Sequence, residues 1–110
     1  MTLTNYILDA IGNPVPEPDV IAWGRWFGTA NRHVAQTDIN GVHVSTVFLG
    51  VDHNFTGHGD PILFETMPFA DDSPWDQLCW RHPNRHAALA FHDQLVAAIR
   101  DGKTPDDINT

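Results

Sequence analysis

VHVSTVFLGVDHNFTGHGDPILFETMPF, residues Val42–Phe69, is the stretch around which the chain organises. Two runs of β-branched, aromatic and aliphatic residues, Val42–Leu49 and Ile62–Met67, flank a segment of Gly, Asp, Asn and His. Stiff side chains fill a pleated surface, whereas Gly, Asn and Asp accept the backbone angles of turns. The pattern predicts a long β-hairpin with an elaborate tip, and the rest of the chain as its packing.

Just upstream, Asn40-Gly41 signals a two-residue type I′ turn, because both central positions need positive φ. Such a turn fixes the register of Arg32–Ile39 against the next strand. Ile39 then faces Val42, Asp38 faces His43, Thr37 faces Val44, and Val34 comes opposite Val47. One face carries Ala35, Ile39, Val42, Val44 and Phe48 and reads as core. The other carries Gln36, Asp38, His43 and Ser45, then turns apolar at Val34, Val47 and Leu49. A face of that kind calls for partial cover, by a second copy in a homodimer or by the C-terminal segment. The strand Pro61–Phe69 is apolar on both sides, with Ile62 and Phe64 on one and Leu63 and Met67 on the other. Glu65 interrupts the second side, and Pro68 marks a strand end or an edge.

Further out, Tyr6–Asp9 suits an edge strand, and the prolines of Gly12–Pro18 argue against regular structure. Asp19 reads as the N-cap of a helix through about Gly28. Val20, Trp23, Gly24 and Phe27 form its inner stripe, with Trp26 on the flank and Gly24 permitting a close approach to a sheet. Gln77–Trp80 could add a short strand. Asn84 caps a second helix, Arg85 to about Arg100, whose stripe is Ala88, Phe91, His92, Leu95 and Ile99, with Gly102 as its stop. His92 is expected at the core edge, bonded to backbone. The prediction is an α+β fold in the order β-α-β-β-β-α: a small antiparallel sheet of three to four strands with two helices packed on one face. Residues 1–102 form one domain and residues 103–110 a polar tail. The inner α-β-β-β-α order resembles double-stranded-RNA-binding domains in topology alone, since the basic residues that such domains place on phosphates are missing.

Charge narrows the partners. The 110 residues carry 14 Asp and Glu against 6 Lys and Arg, a net charge of −8. Without a basic cluster to neutralise phosphates, direct nucleic-acid binding is disfavoured; a basic protein partner or polyanion mimicry fits the sign better. The single cysteine, Cys79, excludes an intramolecular disulfide and suits a reducing cytosol. The opening residues lack the basic start and apolar run of a secretory signal, and no stretch is apolar enough for a membrane helix. A cytoplasmic setting without membrane contact is expected.

The segment Asp52–Asp60 carries the densest chemistry. Oxygen-bearing Asp52, Asn54, Thr56 and Asp60, with Gly57 sixth, match several positions of a calcium loop, but Leu63 stands where the bidentate Glu belongs. Zinc could draw on His53, His58 and Asp60, with His43, His82 or His86, though no paired cysteines support it. A metal-binding domain or small metal-dependent enzyme, with Asp52, His53, Asn54, His58 and Asp60 as ligands, is therefore the alternative function. The simpler reading is a turn built from Asx side chains and glycines, with no cofactor. Neither Ser45 nor Ser73 lies in a G-x-S-x-G elbow, and no phosphate-binding glycine loop is present, so an enzyme is not the leading expectation.

Several fragments together resemble a family of small proteins from tailed-phage and prophage genomes. They are Tyr6–Asp9, Pro16–Phe27 with Trp23 and Trp26, Val44–Gly50, Asp52-His53, Leu63–Met67 and His92, the VSTVFLG…DH…LFETM run being the specific part. From Pro68 to Arg85 the sequence departs from that family. The resemblance transfers no functional residue. It implies a phage accessory protein in bacterial cytoplasm. The expected function is non-enzymatic binding of a bacterial host protein, such as a defence component. From the residues themselves, the candidate binding positions are Trp26, Val47, Leu49, Asp52, His53, Trp75 and Trp80.

Overall fold

The Asn40-Gly41 turn forms as its dipeptide dictates, with φ of 50° and 79°. It joins β3 (His33–Ile39) to β4 (Val42–Phe48), and β5 (Phe64–Phe69) and β6 (Trp80–His82) complete a four-stranded antiparallel sheet in sequence order. The computed structural model describes residues 4–108. Its other elements are β1 (Tyr6–Leu8), β2 (Pro14–Pro16), α1 (Val20–Thr29), α2 (Arg85–Arg100) and α3 (Pro105–Ile108). The α+β class and the antiparallel sheet are as expected.

The turn register holds through Ile39↔Val42, Asp38↔His43 and Thr37↔Val44, then slips. A β-bulge sets His33 opposite Val47 and Ala35 opposite Thr46, so Val34 is not the partner of Val47. The extra residue turns Val34 inward, where it packs near Phe48, Leu63 and Phe64. Leu63 also departs from the alternation expected of it. The strand starts at Phe64, three residues later than the expected Pro61, and Leu63 is buried in the same cluster instead of facing outward with Met67. Pro68 sits beyond the last β5–β6 pair, Phe64↔His82 to Thr66↔Trp80 being the full ladder. Its missing N–H therefore interrupts no ladder on that side.

The prolines before α1 do form a strand, contrary to expectation. Leu8 pairs with Pro14, Ile7 with Val15 and Tyr6 with Pro16. The Asp9 N–H donates to Asn13 C=O and the Glu17 N–H to Asn5 C=O, both at 2.9 Å. Antiparallel pairs alternate between bonded and unbonded, so Pro14 and Pro16 fall where no donor is needed. The ribbon is tied to the main sheet by the Tyr6 N–H to Gly50 C=O bond and by the Trp23 indole, which donates toward Tyr6 and Gly50 carbonyls. Gly50 is obligatory there, with φ of 77° and the Phe27 ring 2.8 Å from where a Cβ would sit.

Asp19 caps α1 by accepting the Ile21 and Ala22 N–H groups, and Asn84 caps α2 through the Ala87 N–H. The α1 stripe is rotated from its expected position. Val20 is solvent-exposed and Gly24 has open space above it, while Trp23, Trp26 and Phe27 turn inward. Helix α2 lies across β3, β4, β5 and β6, and α1 meets the same core from the end of the sheet through Trp26 against Phe48. Two apolar clusters result. Val42, Val44, Trp75, Leu95 and Ile99 form one; Phe48, Leu63, Phe64 and Ala88 form the other. Each fully buried Leu, Phe or Val stabilises the fold by about 1.5–3 kcal/mol. The expected polar tail contains α3, whose Ile108 packs on the first cluster; Asn109 and Thr110 lie outside the described residues.

Candidate functional site

Helix α2 covers one face of the four-stranded sheet, and among the described elements none packs on the other. The open face follows from alternation along the strands. Its residues are Gln36 and Asp38 from β3, His43, Ser45 and Val47 from β4, Glu65, Met67 and Phe69 from β5, and Arg81 from β6. Ser45 lies directly opposite Met67, and Val47 opposite Glu65. A small residue among taller neighbours leaves a dimple of about 70 Å³, lined by Ser45, Val47, Glu65, Met67 and Phe69. Phe69 is 43% exposed at its rim, and its ring lies 6.5 Å from that of His43.

The charged side chains on this face have close partners. Arg81 Nε donates to Glu65 Oε2 at 3.1 Å, and His43 Nδ1 lies 2.6 Å from Asp38 Oδ1. Cys79 belongs to the same neighbourhood. Burial pushes its thiol pKa up, and a hydrogen bond to Glu65 adds to the shift. A thiol held protonated in this way is a poor nucleophile at neutral pH.

The Asp52–Asp60 segment is a separate structure. Asp52 Oδ1 accepts the Asn54 N–H at 2.7 Å and the Ile62 N–H at 2.9 Å, closing the base of the loop. Asn54 is its hub. Its amide donates to the His58 and Asp60 carbonyls, and its oxygen accepts the Thr56 N–H and hydroxyl. This is the Asx-and-glycine turn that the composition allowed. It frames an open cleft of about 310 Å³, lined by Thr4, Asp52, Asn54, Phe55, Gly57, His58 and Gly59. For a cation the donors are badly placed. Asn54 Oδ1 and Asp52 Oδ1 already serve N–H groups, His53 Nδ1 lies 2.8 Å from Val51 C=O, and among the described residues no three His, Cys, Asp or Glu side chains converge.

The expected binding residues therefore separate. Val47 is on the open face. Leu49 is half-buried just past β4, its N–H donating to Leu63 C=O. Asp52 and His53 belong to the loop. The three tryptophans are packing residues. Trp75 is 6% exposed within the first cluster, Trp80 packs against Phe91 with the ring planes tilted by 42°, and Trp26 meets Phe48 edge-on at 5.7 Å. Bulk and aromaticity suggested binding anchors, but the same properties fill a core. Met67, Phe69 and Ser45 were missed as one site because they belong together only once β4 and β5 are paired. The usable signal was a serine among outward-facing strand positions that are otherwise large.

Compared with known proteins, the chain matches no family model, no curated protein and no solved structure.

Proposed function

We propose that this chain is a phage-type accessory protein that works without catalysis in bacterial cytoplasm, by binding a host protein such as a defence component. The observation that carries the proposal is the uncovered sheet face, with Val47, Met67 and Phe69 around a serine-floored dimple. An apolar recess ringed by polar and charged groups suits a single apolar side chain from a partner, the recess giving affinity and the rim register. Phage origin rests on the VSTVFLG…DH…LFETM resemblance.

Polyanion mimicry is the weaker use of the −8 charge. Asp9, Asp19, Asp52, Asp76 and Asp107 accept main-chain N–H bonds and so serve turns and caps of this fold. A mimic's binding would weaken steeply with added salt, whereas docking on Met67 and Phe69 would persist. The test is capture of partners from a bacterial lysate on immobilised protein at low and high salt. Wild type is compared with Met67→Glu and with the double change Asp52→Ala, His53→Ala. A partner retained at high salt, lost with Met67→Glu and kept by the loop variant supports the proposal. Loss confined to the loop variant would favour the loop-centred alternative.

A further inference from the structure

The covered face of the sheet holds a continuous polar chain that the binding proposal does not use. Thr37 Oγ1 lies 2.9 Å from His92 Nε2, and His92 Nδ1 lies 2.8 Å from Thr46 Oγ1. Thr46 Oγ1 lies 2.7 Å from Thr66 Oγ1, which lies 3.0 Å from His82 Nε2. The chain runs through β3, α2, β4, β5 and β6. Thr46 and Thr66 are wholly buried, and His82 and His92 are nearly so.

Each link needs one proton, and each threonine has one to give. If neutral His92 carries its proton on Nδ1, it donates to Thr46, Thr46 to Thr66, and Thr66 to a bare His82 Nε2. Thr37 then donates to His92 Nε2, and the proton of His82 sits on Nδ1. If His92 carries its proton on Nε2, every donor reverses, and His82 must donate from Nε2. No third arrangement of neutral rings fills all the links and also gives both buried threonine hydroxyls an acceptor. One added proton, on either ring, still leaves every link filled. Two added protons fill the links as well, but both rings then donate inward and one buried threonine hydroxyl is left with no acceptor. An unsatisfied buried donor costs about 1–3 kcal/mol, in addition to the repulsion between two imidazolium rings.

We propose that this ladder joins His82 and His92 into one titrating unit, which holds both rings in the same neutral tautomer and accepts one proton but not two. Acidification would then act on the seat of α2 in two separated steps, the second leaving a buried threonine hydroxyl beneath α2 without an acceptor.

The surroundings add few competing charges. Burial pushes both imidazoles below the ordinary histidine range, and Asp93 beside His92 works against that shift. The inward neighbours Ala35, Val44, Phe48 and Phe64 on β3, β4 and β5 are uncharged. On β6, Arg81 points to the open face and is engaged there by Glu65. On α2 the stripe neighbours Ala88 and Leu95 are apolar, and Phe91 packs 5.0 Å from His82.

The test is imidazole ¹⁵N NMR of the intact chain across a pH titration, with Thr66→Val and Thr66→Ser beside wild type. Equal tautomer ratios at His82 and His92 are expected at neutral pH, with two apparent pKa values more than about 1 unit apart. Thr66→Ser keeps the hydroxyl and should preserve both features; Thr66→Val removes it and should uncouple tautomers and titrations. Opposite tautomers in wild type, or coupling unchanged by Thr66→Val, would overturn the proposal. Should Thr66→Val not fold, the wild-type tautomers decide alone.

Discussion

The two faces of the four-stranded sheet are built from the same strands, yet they solve different problems. The covered face has apolar clusters at either end and a fully bonded Thr–His chain between them. The open face has a shallow apolar recess with its charges paired across the surface. Threonine at Thr46 and serine at Ser45 are neighbours in sequence and both are shielded from solvent, but only the threonine sits beneath a helix. Side-chain chemistry thus follows the layer behind each face. Where α2 closes the space, every polar atom needs a partner; where none of the described elements covers the sheet, water and a binding partner can supply one.

Substitutions on the covered face should be the most damaging. Phe48→Ala removes a wholly buried ring that contacts Trp26 and Phe64, and should cost about 3–5 kcal/mol in urea unfolding. That is a large share of the about 5–15 kcal/mol typical of a domain. A value under 1 kcal/mol would mean that the second cluster does not carry the fold. Acid should act on the same face. With both buried imidazoles below their ordinary value, the unfolded chain binds more protons than the folded one as pH falls through about 6.5. Stability should therefore fall as the pH drops below about 7.5, and His92→Gln should flatten the part due to that ring. A midpoint independent of pH would contradict the burial of these groups.

The loop and the open face should respond less. Asn54→Ala removes the hub of the 52–60 turn and should cost about 1–2 kcal/mol, raising amide exchange in the loop while leaving the sheet protected. Arg81→Ala breaks only a surface pair with Glu65 and should cost under about 1 kcal/mol. Met67→Glu should change stability by no more than about 0.5 kcal/mol, because none of the described elements packs over its side chain. A large loss at Met67 would show that the open face is covered in solution, as in a homodimer.

Local signals were legible before the fold was known. Asn40-Gly41 set the hairpin register because its φ requirement is intrinsic, and Asp19 and Asn84 marked the starts of α1 and α2 by accepting their first N–H groups. Non-local features were not. Pro14 and Pro16 read as breakers, since whether a proline's missing donor matters depends on which strand lies beside it. The bulge at Val34 is invisible to a period-two pattern, which assumes one residue per pair. The Thr46–Thr66 bond was hidden for the same reason. Threonine is an ordinary strand former, and only the β4–β5 register sets the two hydroxyls opposite each other. His92 was placed correctly on its helix stripe, but its partners are threonine hydroxyls from β3 and β4 rather than backbone. The open-face dimple needs the same register, with Ser45 opposite Met67, to exist at all.

The most direct test of the division between faces is quantitative mass spectrometry of proteins captured from a bacterial lysate on wild-type and Met67→Glu protein. Both baits must first show the same unfolding midpoint. A partner enriched on wild type and lost on Met67→Glu is the result expected if the open face is the working surface. Identical enrichment on both baits would contradict that assignment.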